Sequence, residues 1–195
     1  MLNYHKYTIL IVEDSLTQAV ELQSMLEKHG FHAHAVHNGQ EALEFLQKQV
    51  PDLVISDIVM PSMDGFELCS KIKDHAKWQE VPVLLLTALS DPEDVVKALE
   101  CKADNFLTKP YSEQELISRL QNIFLNKKLR KNSASNMGLE IYFAGKKHYV
   151  DTDRMQIIDL LLSTYENATR QYRELEKVNK QLEQTQSELS KSKLQ

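Results

Sequence analysis

"LVISDIVMPSMDG", residues 53–65, is the stretch whose reading decides the fold. Leu53, Val54, Ile55 and Ser56 suit a strand in the middle of a sheet, yet the run ends on Asp57 and passes through Pro61 into Asp64-Gly65, a turn signal. A carboxylate in that place has two readings. It is a cap or turn residue, the commoner fate of such an aspartate, or it is a ligand or nucleophile, because functional groups of open α/β sheets gather just beyond the carboxyl ends of the strands.

The sequence on either side repeats one pattern. Apolar runs at 8–12, 31–36, 53–56, 81–87 and 105–108 alternate with helix-period segments near 15–29, 38–49, 64–76, 91–102 and 112–131. Such alternation predicts βαβ units, hence an α/β domain with a doubly wound parallel sheet and helices on both faces. Helix starts are marked independently: Asp64-Gly65 opens the third, Asp91-Pro92-Glu93 the fourth, and Ser112 with Glu115 forms a capping-box pattern for the fifth.

The chain has 195 residues, 42% hydrophobic and 26% charged, with a formal net charge of -5. These are values of a globular chain with a proper core, and the negative charge disfavours direct binding to nucleic acid, whose phosphates call for Lys and Arg. No run approaches the ~20 apolar residues of a membrane span, and the N-terminus lacks a signal-peptide pattern. Two cysteines, Cys69 and Cys101, do not make a disulfide framework. The expectation is a cytoplasmic protein with no membrane insertion.

Residues 1–131 therefore read as one domain. A polar Ser/Asn-rich linker and a short β-hairpin occupy 132–151, the hairpin built from "LEIYFAGKKHYV" at 139–150. From 152 to 195 there is neither Gly nor Pro, which predicts one long helix of about 65 Å. A seven-residue register places Leu161, Ala168, Leu175 and Leu182 in one stripe, a weak coiled-coil seam that points to a homodimer. Thr164, Gln171 and Thr185 interrupt the companion position of that seam.

Chemistry concentrates at the strand ends. "ILIVEDS" closes the first strand on Glu13-Asp14, and if strands one and three are neighbours these converge with Asp57. Three carboxylates in one cleft need a cation or raised pKa values, and a water-accessible oxygen site suits Mg²⁺. Thr87 closes the fourth strand and Lys109-Pro110 follows the fifth. A hydroxyl, an ammonium and a divalent cation around one aspartate are the parts that stabilise a phosphoryl group in transfer, with Asp57 as acceptor.

"VEDS", "DIVMPSMDG", "LLLTA" and "FLTKPY", in this order and spacing, resemble the receiver domain of bacterial two-component response regulators across roughly residues 5–131. The resemblance implies a flavodoxin-like sheet of order 2-1-3-4-5. It also implies a phosphoacceptor at Asp57 and Mg²⁺ held by Asp14, Asp57 and the backbone carbonyl of Val59, with Glu13 acting through water. Thr87 and Lys109 would bind the phosphoryl oxygens, and Thr87 with Phe106 would form the switch. The donor would be the phosphohistidine of a histidine kinase or a histidine phosphotransfer protein. Val59 and Leu89 stand where polar residues can orient the attacking water, which predicts slow self-dephosphorylation.

The function so implied is phosphorelay signalling passed to the C-terminal helix, with no enzyme activity beyond the chain's own phosphorylation and dephosphorylation. The alternative is the N-terminal regulatory part of a larger enzyme, a hybrid histidine kinase or diguanylate cyclase. Two rival folds fall behind: a haloacid dehalogenase-type phosphatase wants an acid where Val59 stands, and Glu13-Asp14 would repel a flavin phosphate. His29, His32, His34 and His37 lack companion ligands, so they read as exposed or hydrogen-bonded histidines and not as a metal site.

Overall fold

Five parallel strands lie in the order β2-β1-β3-β4-β5 in a computed structural model that describes residues 6–87, 97–130, 136–143 and 146–153, with helical positions 168, 172, 175, 177–182 and 185. The strands are β1 (Thr8–Val12), β2 (His32–Val36), β3 (Leu53–Asp57), β4 (Val83–Thr87) and β5 (Asn105–Thr108). Between them run α1 (Leu16–Lys28), α2 (Gly39–Lys48) and α3 (Gly65–Asp74), then α4, described over residues 97–100, and α5 (Glu113–Arg130) after β5. The predicted sheet and its order are both present. The Asp91 cap lies outside the described residues.

The central strands are apolar throughout because both of their faces are covered. Ile9, Ile11, Leu53, Ile55, Leu84 and Leu86 pack on one side with Leu22 and Leu26 of α1 and Leu116 and Leu120 of α5. Leu10, Val12, Val54, Val83 and Leu85 pack on the other with Leu46 of α2, Leu68 and Ile72 of α3, and Ala98 of α4. The period of two therefore survives as a choice of layer.

Local chemistry starts the helices where expected. The Asn38 side chain accepts from the Glu41 amide at 2.9 Å and the Asp64 side chain from the Glu67 amide at 2.7 Å. Ser112 and Glu115 close the capping box reciprocally, at 2.8 Å and 3.2 Å. At α3 the glycine is required by space: a Cβ on Gly65 would collide with the Asp57 carbonyl oxygen and stand 2.9 Å from the Ile58 Cα. The chain after Asp57 thus folds back tightly onto the end of β3, and the Gly65 amide donates to the Ile58 carbonyl at 2.9 Å.

Both cysteines are buried, and the Cys69 thiol donates to the Cys101 carbonyl at 3.1 Å. His32 and His34 are exposed on β2, and His29 lies 2.7 Å from Glu113. Each is as the sequence suggests.

The hairpin differs at both ends. Strands β6 (Asn136–Phe143) and β7 (Lys146–Asp153) pair antiparallel, with Asn136 opposite Asp153. The strand continues through Thr152 and Asp153, where the sequence reading starts the long helix. Once Asn136, Met137 and Gly138 extend one side, the opposite backbone has ladder partners as far as Asp153, and that pairing outweighs the helix pattern. By contacts the chain divides into units 1–160 and 161–195. In the second unit Ala168, Leu175 and Leu182 are helical and exposed, while Leu161 lies outside the described residues.

Candidate phosphoacceptor site

The parallel sheet delivers Glu13, Asp57, Thr87 and Lys109 to a single edge, because each follows or ends a strand running the same way. Asp57 is the last residue of β3 and pairs with Leu86, so Thr87 stands one residue further along the adjacent strand. Asp57 belongs to the strand; the cap of α3 is Asp64, and the Asp57 side chain is 13% exposed.

One ammonium ties the edge together. Lys109 Nζ donates to Asp57 Oδ2 at 2.8 Å, to Glu13 Oε2 at 2.9 Å and to Gln18 Oε1 at 2.8 Å. Glu13 is only 1% exposed, and its Oε1 accepts from the Ser15 amide at 3.3 Å. Asp57 Oδ1 accepts from the Val59 amide at 3.3 Å. Carboxylate oxygens of Glu13, Asp14 and Asp57 lie within 4.8 Å of one another, and Asp14 is exposed.

Burial opposes the charge on Lys109, but hydrogen bonds to Asp57 and Glu13 outweigh it and raise its pKa above the ordinary lysine value. Phe106 is 2% exposed and packs in the core on the side of α2 and α3. Val59, by contrast, is exposed.

Sequence reasoning missed two neighbours. Gln18 sits in the first turn of α1, and Tyr111 follows the cis Lys109–Pro110 bond. Both line a cleft of about 400 Å³ beside the site, with Glu21, Leu22 and Met25. The available signal was position alone: Gln18 is four residues beyond Asp14, at the start of the helix that β1 feeds. Burial pushes the Tyr111 phenol up to about 12, with Lys109 pulling the other way. A raised folded-state value means that Tyr111 stabilises the fold fully below the ordinary value of about 10 and loses that contribution as pH rises toward 12. Thermal melts across that alkaline range are expected to fall, and a Tyr111→Phe variant is expected to fall less steeply.

A family model described as "Response regulator receiver domain" matches residues 9–121, more than half of the chain. The chain belongs to the response regulator receiver family. Receiver domains work in phosphorelay signalling and bind Mg²⁺ at an acidic pocket, and this receiver carries such a cluster in Glu13, Asp14 and Asp57.

Relatives span several architectures. The receiver is 41% identical over 131 residues to "Histidine kinase P4" of Formosa agariphila, an alignment that covers 67% of this chain and 10% of that protein. It is 31% identical over 169 residues to "Probable transcriptional regulator ycf27" of Guillardia theta, covering 83% and 65%. Thus the chain spans a tenth to about two thirds of the length of these curated relatives. Among solved structures, the signal receiver domain of a histidine kinase from Syntrophus aciditrophicus is 45% identical, with 71% and 98% of the two chains covered and a TM-score of 0.59. The chemotaxis response regulator CheY4 of Vibrio cholerae is 30% identical, with 60% and 98% covered and a TM-score of 0.57.

Proposed function

We propose that the chain is a phosphorylation-controlled switch in which Asp57 accepts a phosphoryl group from the phosphohistidine of a histidine kinase or histidine phosphotransfer protein. The observation that carries this reading is the Lys109 ammonium held between the Asp57 and Glu13 carboxylates at an open strand edge. Asp57 Oδ attacks phosphorus, and the P–N bond of the donor breaks with its electron pair returning to the imidazole. Lys109 and the Thr87 hydroxyl take the phosphoryl oxygens.

The donor set fits a hard divalent cation, since three carboxylates lie together and Asp14 faces water. Asp14, Asp57 and the Val59 carbonyl would hold Mg²⁺ directly and Glu13 through water; bound there, it would offset the charge gathered between acceptor and phosphoryl group. Around the pocket, Leu16 and Val20 are each 66% exposed and Val59 is 77% exposed. Apolar side chains left in water beside an acidic pocket suit docking of the donor's helix.

The new charge draws Thr87 inward and repacks Phe106, so the surface formed by α4, β5 and α5 changes. The C-terminal helix is the output, pairing with a second copy along Leu161, Ala168, Leu175 and Leu182. Exposure of Leu175, Val178 and Leu182 at 59%, 51% and 53% supports an uncovered seam. We place the chain in the cytoplasm, acting as a signalling module and not as an enzyme on outside substrates; among the described residues no helix is long and apolar enough to cross a membrane. A second reading, a regulatory segment within a larger kinase, is favoured by the 41% identity to a protein of which the aligned region is 10%.

The test is intact mass and light scattering of the chain with Mg²⁺ and phosphoramidate, beside Asp57→Asn. One added phosphoryl group absent from the variant, with a shift in molar mass, is the expected result. Labelling that survives the substitution overturns the acceptor, and labelling without a change in assembly overturns the helix output.

A further inference from the structure

We propose that Gln18 is a positioning residue for Lys109, and that its amide oxygen sets the rate at which the phosphoryl group reaches Asp57. The inference rests on the phosphoacceptor reading above and goes one residue beyond it.

An ammonium has three N–H donors and no more. Lys109 commits one to Glu13, one to Asp57 and one to Gln18, at 2.9, 2.8 and 2.8 Å. Two of those acceptors are anions at the strand ends, while the third comes from α1. With two acceptors alone the head group can lean toward either carboxylate. The third bond removes that freedom.

The consequence appears during transfer. As the Asp57 Oδ–P bond forms and the donor P–N bond breaks, the electron pair stays on nitrogen, which leaves as imidazole from a phosphohistidine or as ammonia from phosphoramidate. Negative charge then sits on phosphoryl oxygens, where before it sat on the carboxylate. Lys109 must turn one N–H to those oxygens while staying over Asp57. The bonds to Glu13 and Gln18 remain in place and act as its two fixed points. A misplaced charge costs rate even when it stays nearby, since stabilisation of this kind depends on prior orientation.

Gln18 is exposed and no part of the core, so its replacement leaves the packing of the sheet intact. Gln18→Met keeps length and removes the acceptor; Gln18→Glu keeps an acceptor in the same place. Phosphorylation of the full chain is followed with phosphoramidate at saturating Mg²⁺, as a function of donor concentration. The methionine variant is expected to lose roughly threefold to tenfold in maximal rate, the part of a charge-assisted bond that survives solvent exposure, with unchanged half-saturation by donor. The glutamate variant is expected to recover most of it.

Equal maximal rates for the wild type and the methionine variant overturn the role of Gln18. A loss shared equally by methionine and glutamate also overturns it, since the acceptor then does not matter. Failure of the wild type to take any label that Asp57→Asn abolishes is a failure of the phosphoacceptor reading itself, and separates the two.

Discussion

Replacing Lys109 with methionine is expected to slow phosphorylation of the chain by roughly 100-fold to 1,000-fold while strengthening its hold on divalent cations. Among the described residues the ammonium is the cation that bridges Asp57 and Glu13, at 2.8 and 2.9 Å, and its side chain is 21% exposed. In that partly dry setting its charge acts on the phosphoryl oxygens with little screening. Methionine fills similar space but contributes no charge, so the transition state loses its fixed counter-ion.

The same substitution leaves Glu13, Asp14 and Asp57 facing one another without the ammonium that bridges two of them. Their mutual repulsion then favours any added cation, so Mg²⁺ affinity measured by calorimetric titration should rise severalfold even as the rate falls. A wild-type rate in the variant would remove Lys109 from the chemistry; weaker metal binding would mean that the ammonium helps the cation and does not compete with it. Because the folded-state pKa of Lys109 is raised, its contribution to stability is fully present below the ordinary lysine value. It is lost only as pH climbs through the raised one.

The second large effect lies away from the site. Lys73→Met is expected to cost about 3–5 kcal/mol of stability, read as a shift in the urea unfolding midpoint. Lys73 on α3 reaches Asp104 Oδ2 at 2.6 Å and the Val81 carbonyl at 2.8 Å, and the two side chains are only 6% and 5% exposed. Asp104 also accepts from the Val83 amide at 2.9 Å, so the pair joins α3 to the start of β4 and the approach to β5. Removing the ammonium alone leaves a carboxylate stranded out of water, and that is the expensive change. A Lys73→Met, Asp104→Leu double variant removes both charges and should recover most of the loss. Equal loss in both would locate the cost in side-chain shape and not in the uncompensated charge.

The two sites show what the sequence can and cannot disclose. Asp57, Glu13, Thr87 and Lys109 are legible because each sits at a change of pattern, where an apolar run gives way to a polar residue at a strand end. Strand limits at Thr8–Val12 and Asn105–Thr108 match the predicted runs residue for residue, polar end residues included. Lys73 and Asp104 lie inside an amphipathic helix and before a strand, where charge ordinarily means solvent. Only the folded chain reveals that they meet. Gln18 is hidden for a similar reason: its meaning comes from Lys109, ninety-one residues away in sequence. The hairpin was legible as a hairpin, but its length depends on how far two backbones stay side by side, which alternation of residue types does not encode.

That pairing of Asn136 with Asp153 has a consequence for the modular construction of the chain. Residues opposite each other in an antiparallel ladder have Cα atoms about 4.5–5.5 Å apart, so the polypeptide leaves the hairpin almost where it entered. In path length the excursion is a closed detour. The whole loop could be excised and the cut ends rejoined through a residue or two, which makes residues 136–153 a natural unit of insertion and deletion after the receiver.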